Sequence, residues 1–129
     1  MSTLATPIRD KAKLHDPACV KVVFDSVGRA LYFSRSPIPH ARTWDDSLLT
    51  AEPPHFHQHI GLYAYRRAAL ARFVALPPGL LEKREKLEQL RALEAGLRID
   101  VALVDTVPLG VDTPAELERA RSILAQKTR

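Results

Sequence analysis

The stretch Cys19-Val20-Lys21-Val22-Val23-Phe24-Asp25, with Ala30-Leu31-Tyr32-Phe33-Ser34 after it, decides the fold class. Both runs are dense in β-branched and aromatic residues, which suit a pleated, half-buried backbone. Ser26-Val27-Gly28 between them reads as a turn, so the two runs are expected to pair as a β-hairpin. Upstream, Ser2 to Ile8 is a short strand candidate broken by Pro7. Downstream, Ser36 to Gln58 follows no period and holds Pro37, Pro39, Pro53 and Pro54. It is expected as a long loop, with a helical turn around Asp45 to Leu49. His59 to Tyr65 alternates as a strand does, and Arg66 to Leu76 is a short helix stopped by Pro77-Pro78-Gly79. Leu80 to Ala95 is expected as one continuous helix, with Leu80, Leu87, Leu90 and Leu93 at helical spacing and Gly96 in the C-cap place. Arg98 to Thr106 reads as a strand. Thr113, Pro114 and Glu116 then form a capping box with proline at the first helical position. That last helix is expected to run to about Ala125 and to bury Leu117, Ala120 and Leu124. Strands and helices mixed along 129 residues place the chain in the α/β class, as a single domain over 1–129.

Composition narrows the function. Hydrophobic residues make up 46% and charged residues 26%, which predicts a packed core rather than disorder. No apolar run reaches the roughly 18 residues that cross a bilayer, so no membrane partner is expected. Met1 to Asp10 lacks a basic segment followed by an apolar one, so no signal peptide is read. Cys19 is alone and can form no internal disulfide, which makes a reducing cytoplasm the default. The net charge is +4. The cations are dispersed and aromatics are few, which argues against nucleic acid and suits an anionic small substrate.

Six segments then share one order. They are Thr3-Leu4-Ala5-Thr6-Pro7-Ile8, Asp16-Pro17 leading into Val20 to Val23, and Ala30 to Arg35 followed by Ile38-Pro39. After them come His59 to Arg66, Leu87 to Arg91, and Gly110-Val111-Asp112-Thr113-Pro114 with Glu116-Leu117. In this order the chain resembles the C-terminal half of the 3-deoxy-manno-octulosonate (Kdo) cytidylyltransferases. These enzymes activate Kdo with CTP for lipopolysaccharide synthesis. The resemblance implies a Rossmann-like nucleotidyltransferase fold, magnesium as cofactor, Kdo and CTP as substrates, and a homodimer. It also implies that the CTP-binding half, with its phosphate-holding loop and a second metal-binding aspartate, is absent here. The isolated chain is therefore expected to be inactive.

The residues that could carry chemistry have two readings each. Asp112 can be an ordinary helix N-cap; the resemblance makes it a magnesium ligand. Arg35 can be a surface arginine at a strand end; the resemblance places it in the substrate site, where a guanidinium can hold a carboxylate bidentately. His59 and Tyr63 share one strand face and could pack or hydrogen-bond. Glu88 and Gln89 could be solvated helix face. The resemblance lines the Kdo pocket with His59, Tyr63, Glu88 and Gln89. Two alternatives belong to other classes. One is a non-catalytic dimerisation or interaction fragment. The other is a metal-binding protein using His55, His57 and His59, against which Pro53 and Pro54 and the lack of a nearby carboxylate weigh.

Overall fold

In the computed structural model, the structure describes residues 1–105 and 113–127. The elements are β1 (Ser2–Pro7), α1 (Lys11–His15), β2 (Lys21–Phe24), β3 (Ala30–Ser34) and β4 (His57–Ala64). They continue with α2 (Arg67–Ala75), α3 (Leu80–Glu85), α4 (Gln89–Glu94), β5 (Asp100–Leu103) and α5 (Pro114–Lys127). The five strands form one sheet in the order β3-β2-β4-β1-β5. Among the described residues only β1 and β5 pair in parallel; β1–β4, β2–β4 and β2–β3 are antiparallel. The chain is thus of the mixed α/β class.

The expected hairpin is present as β2–β3. Asp25 Oδ1 accepts from the backbone N–H of Val27 and Arg29, and Gly28 takes the positive φ of 86° that the turn requires. A Cβ there would lie 3.3 Å from the carbonyl oxygen of Val101. The sheet curls so far that this turn meets the start of β5. Ala30 N donates to Ile99 O (2.8 Å) and Val101 N to Gly28 O (2.7 Å). The long loop holds a short 3₁₀ helix, Asp46–Leu49, capped by the Asp45 carboxylate.

Two apolar clusters lie in the fold. Ala5, Val22, Phe33, Leu87, Leu90 and Ile99 join the sheet to α4. Ile8, Leu14, Cys19, Leu49 and Phe56 pack under the loop, with Trp44 against them. The first cluster positions the site.

Two expectations are corrected. Residues 80–95 are not one helix. Lys86 adopts φ 59° and ψ 46°, and its N–H bonds back to Glu82 O, which ends α3 before α4 begins. Leucine spacing alone misled. Leu87 and Leu90 are buried, whereas Leu80 is 69% exposed because α3 turns Glu82 inward instead. Gly96 does cap α4 as expected, with Leu97 N bonded to Ala92 O and Gly96 N to Leu93 O. The second correction concerns α5. Thr113 Oγ1 accepts from Glu116 N as a capping box requires, but no residue of the helix is buried, and Leu117 and Leu124 stand exposed. Its apolar stripe marks a face that can pack, and the rest of the described chain does not cover it.

Candidate functional site

A cavity of about 300 Å³ opens between the end of β4 and the α3–α4 corner. Tyr63, Tyr65, Phe73, Lys86, Glu88 and Gln89 line it, with Met1 and Leu87. Tyr63 is set by strand alternation on β4, and Tyr65 follows two residues on, so the rings share a face and stack at 5.9 Å. The row extends both ways. Phe33 meets His59 edge-on at 4.8 Å, His59 lies 5.4 Å from Tyr63, and Tyr65 lies 6.2 Å from Phe73. Glu88 and Gln89 are aimed by the α3–α4 break itself. Gln89 is only 7% exposed, although its polar amide must be solvated or bonded. Glu88 is exposed and makes no side-chain cap bond.

His59 stands behind the wall rather than in it. It is buried, and Thr3 Oγ1 lies 2.8 Å from its Nε2. The Thr3 hydroxyl also reaches the Leu62 carbonyl at 2.8 Å. A carbonyl can only accept, so the hydroxyl proton goes there and His59 Nε2–H donates to Oγ1. Burial pushes the imidazole pKa down to about 4, so the ring is neutral near pH 7. Burial also raises the Tyr63 hydroxyl well above its usual range, helped by Tyr65 and by the Glu88 charge. Tyr65 is raised by burial and by Glu88. Both phenols therefore stay protonated and can donate to a ligand.

The site expectations fare unequally. Tyr63 and the adjacent pair Glu88 and Gln89, distant from it in sequence, come together in this cavity, and His59 packs against Tyr63. Arg35 does not line it. Its Nε donates to Glu85 O (2.7 Å), one terminal nitrogen to Pro17 O (2.9 Å) and the other to Lys86 O (3.2 Å). The guanidinium thus ties the end of β3 to the end of α3. Glu85 completes the tie, with Oε1 accepting from Ser34 Oγ and Arg35 N at 3.1 Å each. Fully buried Lys21 donates to the carbonyls of Asp16 (2.7 Å) and Arg35 (2.9 Å), and burial lowers its pKa. Asp112 lies outside the described residues. Among the described residues no group of three or more His, Cys, Asp and Glu side chains is placed to hold a metal ion. The histidine trio does not make one. His59 is bound to Thr3, and His57 packs edge-on against Phe24 at 4.7 Å.

Sequence reasoning missed Tyr65, Phe73 and Lys86. Tyr65 had a signal, since it repeats the alternation of Tyr63. Lys86 had none, because a lysine within an apparent helix reads as solvated surface. A second cavity of about 510 Å³ lies over the loop cluster, lined by Pro37, Pro39, Trp44, Phe56 and Lys11 among others. It is larger and mostly apolar, with Lys11, His15 and His40 on its lining, whereas the smaller cavity carries two phenols, a carboxylate and an amide for a polar ligand.

Comparison with known proteins bears on the family and the fold. A family model described as Cytidylyltransferase matches residues 1–99. The 3-deoxy-manno-octulosonate cytidylyltransferase of Azorhizobium caulinodans is 59% identical over 97% of this chain and 47% of its own length. That of Methylobacterium radiotolerans is 60% identical over 95% and 47%. The solved structure of CMP:2-keto-3-deoxy-manno-octonic acid synthetase complexed with CTP superposes with a TM-score of 0.83. It is 43% identical and is matched over 98% of this chain and 49% of its own. The chain thus spans about half the length of these relatives. The α/β arrangement of the sheet and its helices is that of a nucleotidyltransferase of this kind, and with the model matching most of its residues the chain belongs to the cytidylyltransferase family.

Proposed function

We propose that the chain carries the sugar-acid side of a Kdo cytidylyltransferase, with the cavity at Tyr63, Glu88 and Gln89 as the seat of Kdo. The convergence of these three residues on one polar hollow is the observation that carries the reading. Two protonated phenols, a carboxylate and an amide offer donors and acceptors to a polyhydroxylated ligand, and Phe73 offers an apolar wall. In the reaction the anomeric hydroxyl oxygen of Kdo bonds to the α-phosphorus of CTP. The bond from that phosphorus to the pyrophosphate oxygen breaks, and the hydroxyl proton is released. The products are CMP-Kdo and pyrophosphate. Such transfer rests on positioning and on meeting phosphate charge, so no covalent nucleophile is required.

Of the expected residues, Tyr63, Glu88 and Gln89 would fix the sugar, and His59 would hold Tyr63 in place. Arg35 would act on the acid through the frame it ties. Magnesium takes hard oxygen ligands and usually only one or two carboxylates. Asp112 is of the right chemistry, and the described residues present no competing cage. The ion, when bound, supplies neutralisation of triphosphate charge. A homodimer and a cytoplasmic location belong to the same reading. Exposed Leu62 and Leu103 and the lone, buried Cys19 support them.

The test is pyrophosphate release from CTP, Kdo and magnesium. The 129-residue chain alone is expected to give no turnover. Addition of a separately expressed polypeptide carrying the half of the relatives that this chain does not span is expected to restore it. Turnover by the chain alone at an ordinary enzymatic rate, or none with both parts, would overturn the reading.

A further inference from the structure

We infer that Lys86 sets the acid specificity of the cavity, its ammonium meeting the carboxylate of the bound sugar acid. The inference rests on the reading that the cavity takes such a ligand. Three observations carry it. First, an acid ligand needs a cation, and Lys86 is the cationic side chain among the residues lining the cavity. The α-ammonium of Met1 is turned to the Arg98 carbonyl (3.3 Å), and the Arg35 guanidinium does not line the cavity and is taken up by the backbone carbonyls of Glu85, Pro17 and Lys86. Second, among the described residues Lys86 is in no ion pair, not even with Glu88 beside it in the lining. Third, its backbone is left-handed, the one non-glycine residue with positive φ among the described residues. Glycine or asparagine is the inexpensive choice at such a helix end. A lysine held there points to a duty for the side chain. The frame fixes where that side chain starts. The Lys86 N–H is bound to Glu82 O at 2.7 Å and its carbonyl receives Arg35.

The experiment compares two ligands, Kdo and its uncharged C1 carboxamide, by calorimetric titration of the chain. The unsubstituted chain is expected to prefer the acid by about tenfold. Lys86→Gln should bring the acid down to the affinity of the amide and leave the amide unchanged, while Lys86→Arg should keep most of the preference. Arg35→Gln should weaken both ligands alike, since it loosens the frame, and a thermal melt records that loosening. Equal acid affinity in Lys86→Gln and the unsubstituted chain overturns the inference, as does an Arg35→Gln variant that loses only the acid preference. If the unsubstituted chain binds neither sugar, the cavity reading itself fails, and the inference with it.

Discussion

His59 is a buried base with no acidic partner among the described residues, and that makes it an acid-sensitive point in the fold. Its pKa falls from 6.5 to about 4 through burial. Above pH 6.5 the ring is neutral in folded and unfolded chains alike and stability is unaffected. Between 6.5 and about 4 the unfolded chain binds the extra proton, so stability drops as pH falls. The full loss is about 3 kcal/mol. Denaturant titrations at pH 7 and pH 4.5 should show most of this loss, and His59→Phe should remove the His59 share of the difference and leave the share of His57, which burial also lowers. An unchanged acid slope in that variant would mean another group is responsible. At this scale the sequence was partly legible. Tyr63, Glu88 and Gln89 stand in motifs that the family resemblance picks out, and they do meet. Arg35 stands in one too, but a motif says nothing of which N–H groups the surrounding carbonyls claim. The burial of Lys21 was equally unreadable, since lysine is a surface residue by default.

The element that shapes the cavity is the α3–α4 corner. Glu82 and Arg91 lock it through paired contacts, Nε to Oε2 at 2.8 Å and a terminal nitrogen to Oε1 at 2.6 Å. Their side chains are 11% and 19% exposed, and the Arg91 guanidinium lies over Phe73 at 5.3 Å, which joins α2 to the corner. The hydrogen bonds from Arg91 hold the Glu82 carboxyl below its usual range. Removing one partner of a shielded pair strands the other charge, so Glu82→Ala should cost about 3 kcal/mol. A double-mutant cycle with Arg91→Ala should show that the two losses are coupled rather than additive, by thermal or denaturant unfolding. Additive losses would show that the two act separately. The helical period could not reveal this corner. Leu80, Leu87, Leu90 and Leu93 fit one stripe on paper, and the break falls at a lysine rather than at a glycine or proline that would announce it. The β2–β3 hairpin was legible for the opposite reason, because Asp25 and Gly28 are the residues such a turn needs.

Across the whole molecule the sheet and α4 build one core, and the polar cavity sits where that core meets the break between helices. The curl of the sheet brings Gly28 and Ala30 onto the start of β5, so the β3 side of the cavity frame is tied to both ends of the sheet. Amphipathic α5 shows where sequence reading stops at this scale. A stripe of Leu117, Ala120 and Leu124 says which face is apolar, not what covers it. The central claim is that the Tyr63–Gln89 cavity takes the sugar acid. It is tested most directly by titrating Kdo into the ¹⁵N-labelled chain and following amide shifts residue by residue. Saturable shifts are predicted at Tyr63, Tyr65, Lys86, Glu88 and Gln89, with Lys11, Trp44 and Phe56 of the larger cavity unmoved. Saturable shifts confined to Lys11, Trp44 and Phe56, or no shifts at all, would contradict it.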